Sequence, residues 1–125
     1  MKQFEQIYKI HAPLSQVWLA LTDASMAEKW GAGPARFEAT EGGEFSYWDG
    51  DIHGINKKIV HEELLEQDWY GHDDPEKKFR AVFKLEPTED GTKVTLTFSG
   101  EIVDEKKDKN DWKEYYFDPI RKLLE

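Results

Sequence analysis

"FKLEPTEDGTKVTLTFSG", residues 83–100, reads as a β-hairpin with Glu89-Asp90-Gly91 as its turn. Phe79, Ala81, Phe83 and Leu85 face one way, and Val94, Leu96 and Phe98 answer them. The opposite faces carry Arg80 and Lys84, then Thr95, Thr97 and Ser99. Such alternation marks an antiparallel sheet with one buried and one wet side. The same grammar extends upstream and predicts strands over 36–40, 43–48, 51–61, 64–70, 78–86 and 93–103. Gly42-Gly43, Asp49-Gly50 and His72-Asp73-Asp74-Pro75 supply the other turns.

The chain opens differently. "QFEQIYKIH", residues 3–11, predicts a strand with Phe4, Tyr8 and Ile10 on one face. Pro13 suits a first helical turn, and Leu14, Val17, Trp18 and Leu21 form the helix's apolar stripe. A second short helix is expected from Ser25, with Ser25 and Glu28 as a capping box and Gly31 as its stop. The charged run 104–111 reads as a linker, and Asp111 with Glu114 as the start of a last helix. Trp112, Tyr115, Tyr116, Ile120 and Leu123 predict that helix's apolar stripe, and Pro119 a kink or a restart at Asp118. The order is therefore strand, two short helices, six strands and a C-terminal helix. The terminal helix is the one long amphipathic element available to cover the sheet.

Composition narrows the function. The 125 residues suit one domain spanning 1–125, with a net charge of −9. The lysine pairs at 57–58, 77–78 and 106–107 are interleaved with acids, which argues against nucleic acid as a partner. There is no cysteine, so thiol chemistry and disulfides are excluded. "MKQFEQIYKI" lacks the apolar core of a signal peptide, and "VWLAL" (17–21) is far short of a membrane span. The expected location is cytoplasmic.

The glycine-rich stretch "TEGGEFSYWDGDIHG", residues 40–54, is not a phosphate cradle. It has neither the Lys-Ser/Thr ending of a P-loop nor the strand-to-helix setting of a dinucleotide loop. Its glycines are turn residues, and Phe45 and Tyr47 between them share a face. Metal chemistry finds no support. His53 and His61 lie roughly 26 Å apart along an extended strand, and His72 sits in a turn. No serine stands in a nucleophile elbow. No cofactor is implied.

Two polar residues fall on apolar faces. Gln67 shares one with Leu65 and Trp69, and Lys57 shares one with Ile55 and Ile59. A buried lysine needs a partner or a shifted pKa; a bulge or snorkelling would instead turn Lys57 outward. Aromatic residues make up 14% of the chain, and their placement is the main functional lead. Phe45, Tyr47, Gln67, Trp69, Phe83, Phe98, Trp112, Tyr115, Tyr116 and Ile120 are the candidate ligand-binding set between sheet and helix.

"APLSQVWLALTD", Trp30, "GGEFSYW" followed by Gly50-Asp51 and Gly54, "LLEQDW" and the hairpin occur in order over nearly the whole chain. Together they resemble homologues of the C-terminal domain of the heat-shock-protein-90 ATPase activator. That family sits in the START-like (SRPBCC) helix-grip superfamily. The resemblance implies an α+β helix-grip fold. A curved antiparallel sheet of six to seven strands would hold the C-terminal helix across its concave face, often with an apolar cavity between. It brings no shared catalytic residues. Here Pro119 interrupts a helix that is usually unbroken, and the two-domain activator's N-terminal domain has no counterpart.

Three functions follow as expectations. The leading one is a non-enzymatic domain that binds an apolar or aromatic small molecule between sheet and helix. The second, from the resemblance, is a co-chaperone-like module whose partner is a chaperone or another protein. The third is a cyclase- or hydrolase-like enzyme, with Lys57 as the first perturbed group to examine.

Overall fold

A computed structural model describes residues 2–71 and 78–125. The expected turn at 72–75 lies outside the described residues. Strand β1 (Lys2–Ile10) is followed by helices α1 (Leu14–Thr22) and α2 (Ala24–Trp30). Strands β2 (Arg36–Phe37), β3 (Glu44–Tyr47), β4 (Ile52–Val60), β5 (Leu64–Gly71), β6 (Lys78–Thr88) and β7 (Gly91–Gly100) come next. They form one antiparallel sheet in the order β1-β7-β6-β5-β4-β3-β2. The C-terminal helix comprises α3 (Glu105–Asp111), a π-helical turn (Trp112–Phe117) and α4 (Asp118–Leu124).

Alternation decides which face is covered. Phe4, Tyr8 and Ile10 of β1 are buried on the same side as Ala81, Phe83 and Leu85 of β6 and Val94, Leu96 and Phe98 of β7. Trp112, Tyr116, Phe117 and Ile120 press onto that concave side from the helix, and Phe117 stacks on Tyr8 at 3.8 Å between ring centroids. Helices α1 and α2 close one end through Val17, Trp18, Leu21 and Trp30. This is the helix-grip architecture expected from the sequence.

Several local expectations give way to stronger interactions. Asp23, not Ser25, caps α2: its side chain accepts from Ser25 N at 2.8 Å. Glu28 instead reaches forward and accepts from Ala35 N at 3.1 Å. Strand β2 stops at Phe37, because residues 38–43 turn back to bind β4, with Gly42 N donating to Asn56 O at 2.7 Å. Gly42 (φ +85°) and Gly50 (φ +88°) take the left-handed backbone expected of turn glycines.

The run 104–111 is helix rather than linker. Asp104 caps it by accepting from Lys107 N, and Lys107–Asp111 and Lys109–Glu105 pairs one turn apart brace it at 2.9 and 3.1 Å. The helix therefore starts at Asp104, not Asp111.

The sequence marks Pro119 as a break, and α4 does restart at Asp118. Proline offers no N–H to the carbonyl four residues back and crowds it, so the turn in front of it widens to π geometry. The extra residue rotates the helix face. Phe117 turns inward and is fully buried, while Tyr115, expected in the stripe, points out and is 58% exposed. Leu123, also expected inside, is 39% exposed.

The far edge of β1 is partly sealed by this helix's end. Arg121 Nη2 donates to Lys9 O at 3.0 Å, and His11 N donates to Glu125 Oε2 at 2.9 Å.

The rotated face makes a prediction opposite to the simple helical stripe. Phe117→Ala should cost about 4 kcal/mol of stability. Tyr115→Ala should stay within about 0.5 kcal/mol of the unaltered chain. Urea unfolding of the two variants checks both; equal losses would contradict the widened turn.

Candidate functional site

The interior between sheet and helix is built from rings in contact. Trp112 lies 4.8 Å from both Trp69 and Tyr116, and Trp30 lies 4.8 Å from Tyr116. Phe45, Tyr47, Phe83 and Phe98 complete the cluster at separations of 5.3–6.3 Å. Of the ten candidate residues, all but Tyr115 are buried, and the aromatic ones pack against one another.

Gln67 does face the core, as its strand position predicts, and it is fully buried. It belongs to a chain of hydrogen bonds. Trp69 Nε1 donates to Gln67 Oε1 (2.8 Å), Gln67 Nε2 to Asn56 Oδ1 (2.9 Å), and Asn56 Nδ2 to Glu38 O (2.8 Å). Asn56 occupies the inner position that the sequence offered to Lys57. A β-bulge between Asn56 and Lys58 puts the extra residue outward, so Lys57 is exposed. The bulge also returns Ile59 to the inner side, opposite Leu65. The enzyme expectation thereby loses its named buried base.

Two buried phenols sit side by side. Tyr47 Oη donates to Leu21 O at 3.3 Å, while Tyr116 Oη has no partner in hydrogen-bond geometry among the described residues. Burial raises both phenol pKa values above the ordinary tyrosine range.

One open space lies at the mouth of the grip. A groove of about 490 Å³ runs between the first half of the C-terminal helix and one end of the sheet. Trp69 and Tyr70 of β5, Phe79 of β6 and Phe98 of β7 form its sheet side. Trp112, Tyr115 and Tyr116 line it from the helix, together with Lys107, Asp108 and Asp111. The β3–β4 turn adds Trp48 and Asp51, and the start of β4 adds Ile52. Five of the candidate residues thus meet here: Trp69, Phe98, Trp112, Tyr115 and Tyr116. Gln67, Tyr47, Phe83 and Ile120 stay in the packed interior, and Phe45 borders a second depression over β2–β5.

Trp48, which the sequence places at the end of a strand over 43–48, lies instead in the turn after β3, which ends at Tyr47. Its backbone is left-handed (φ +52°), costly for a bulky residue. Trp48 N donates to Ala32 O at 2.7 Å and its indole Nε1 to Gly31 O at 3.0 Å, which ties the turn to the end of α2. The signal for it was the run "YWDG", an aromatic pair set directly in a turn.

Two predictions follow. Gln67→Leu strands the Trp69 N–H and the Asn56 amide oxygen in the core and should cost about 3 kcal/mol; urea unfolding measures it. The tyrosine shifts carry a definite sign. Their folded pKa values exceed the unfolded value of about 10, so the folded chain retains protons that the unfolded chain releases. Their stabilisation is complete below about pH 10 and declines as pH rises above it. Tyr116→Phe should make that decline shallower, since it removes one of the two raised phenols.

Comparison with known proteins agrees with this geometry. The sequence model for "Activator of Hsp90 ATPase homolog 1-like protein" matches residues 11–125. A mouse relative, "Activator of 90 kDa heat shock protein ATPase homolog 2", is 27% identical over 114 residues. The match covers 90% of this chain and 34% of the mouse protein, so the chain spans about a third of that relative's length. An HSP90 activator from Plasmodium falciparum shares the fold with a TM-score of 0.86 at 22% identity, covering 98% of this chain and 96% of that one. The Aha1 dimer from Colwellia psychrerythraea aligns with a TM-score of 0.78 at 20% identity, covering 100% and 97%. With the family match spanning nearly its whole length, this chain belongs to the activator-of-Hsp90-ATPase homologue 1-like family.

Proposed function

We propose that this chain acts as a cytoplasmic, one-domain binding protein that takes an apolar or aromatic small molecule into the groove at the mouth of the grip. One observation carries the reading. The groove of about 490 Å³ is walled by rings from three strands, the C-terminal helix and the β3–β4 turn, and bordered by a few polar groups. That is the make-up of small-molecule sites generally. Trp69, Phe98, Trp112, Tyr115 and Tyr116 form the contact surface. Gln67 holds the Trp69 indole in place from beneath, through the 2.8 Å bond to its N–H. Phe45, Tyr47, Phe83 and Ile120 support these rings as packing rather than as ligand contacts. Among the described residues no helix is long and apolar enough to cross a membrane.

Family membership favours a second reading, a partner role at a 90 kDa heat-shock protein. A relative and a structural neighbour carry that activity in their names. In this reading the same aromatic mouth is a protein-docking surface.

The readings separate in one pair of experiments. Titration of labelled protein with small aromatic compounds should shift the Trp48, Trp69 and Trp112 indole signals saturably and leave Trp18 unmoved. Pull-down with a 90 kDa heat-shock protein, and its ATPase rate with added chain, tests the second. Absence of indole shifts removes the small-molecule reading; absence of both capture and stimulation removes the chaperone reading.

A further inference from the structure

Among the described residues the groove's polar border is not neutral. Asp51 projects from the β3–β4 turn on one side, and Asp108 and Asp111 from the helix on the other. Among the described residues Lys107 is the positive side chain of the border, and its ammonium is held by Asp111 at 2.9 Å. The walls carry π faces, whose electron-rich surfaces attract cations. The same helix already seats one ammonium this way: Lys109 Nζ lies 5.7 Å from the centroid of the Phe4 ring.

The rings that matter are fixed in place. Trp48 holds a left-handed backbone secured by its two bonds to the end of α2. Trp69 is fixed by Gln67, and Trp112 is wedged between Trp69 and Tyr116. A preformed aromatic wall facing carboxylates loses little freedom when a cation enters. Asp108 is partly withdrawn from water, and that burial raises its carboxyl pKa. A carboxylate so placed gains more from an arriving positive charge than one in bulk solvent. The chain's net charge of −9 draws cations toward the mouth from a distance.

We infer that the groove selects an organic cation, a protonated or quaternary amine attached to an aromatic or short apolar body. The apolar body lies against Trp69, Phe98 and Trp112, the charged end meets Trp48 and Asp51 at the turn, and Asp108 faces it from the helix across the groove. This rests on the small-molecule reading above and narrows its ligand class.

Three probes of one shape test it by indole and amide NMR: 2-phenylethylamine, 2-phenylethanol and 3-phenylpropionate. At neutral pH they are a cation, a neutral molecule and an anion. The amine should bind about tenfold more tightly than the alcohol, with the carboxylate weakest. Raising the ionic strength from about 0.02 M to about 0.5 M should shrink the amine's advantage. Asp51→Asn should reduce that advantage about threefold, since it removes one carboxylate from an exposed turn. Asp108 also accepts from Asp104 N at the start of α3, so Asp108→Asn is read only after its amide spectrum confirms an intact helix. If the alcohol binds as well as the amine, the cation inference falls and the small-molecule reading stands. If no probe shifts the indole signals at concentrations up to about 10 mM, both fall.

Discussion

The concave face of the sheet has to be kept from water, and the burial of Trp112, Tyr116, Phe117 and Ile120 against it is the contact on which the fold turns. Aromatic side chains bury about 150–250 Å² each, so three of them in two turns of helix are a large share of the cover. An unbroken α-helix does not aim 112, 116 and 117 at one surface equally well. The widened turn ahead of Pro119 does. A residue that breaks hydrogen-bond regularity thereby enlarges the apolar face, and the sheet repays the weakened turn through ring contacts. Tyr8 on Phe117 at 3.8 Å is the tightest of them.

Much of this was legible in the sequence, for identifiable reasons. The hairpin at 83–100 and the face of β1 were readable because period-two alternation is a local signal that the sheet preserves. Pro119 was readable as a break because its missing N–H is intrinsic to the residue. The outcome of the break was not readable. Whether a helix answers proline with a kink or with an inserted residue depends on what lies across from it, so Tyr115 and Phe117 exchanged places. Asp23 won the cap of α2 over Ser25, and Asp104 turned a charged run into a helix; in each case an acid at the helix entry accepts a free N–H of the first turn. The Lys57 bulge belongs to the same class. It is set by the pairing of Asn56 with Gln67 across two strands.

The site divides along similar lines. Nine of the ten candidate residues are buried: five are aromatic residues on the apolar faces of strands, three lie on the covering side of the helix, and Gln67 is held by hydrogen bonds. Convergence of rings does not by itself leave room, however. Rings of this size fill the centre of the grip, and space opens where the sheet ends and the helix begins. The residues that distinguish this mouth are Trp48, Asp51 and Asp108, which come from a turn and from a stretch that reads as linker. No periodicity points to them. The polar chain from Trp69 to Glu38 has a structural role in that division. It satisfies a buried indole that would otherwise seek a partner in the groove.

The pairing of β1 with β7 has a consequence for how this chain is made. Lys2 lies opposite Gly100 and Ile10 opposite Thr92, so β1 leaves a ribosome about 80–100 residues ahead of its sheet partner. At about 5–20 residues per second, that is a wait of several seconds with Phe4, Tyr8 and Ile10 uncovered. The covering helix, with Phe117 and the Arg121 clamp on Lys9, follows later still. The sheet and its cover are thus closed by segments far apart in sequence, and the apolar face of β1 stays uncovered during synthesis until β7 and the helix follow.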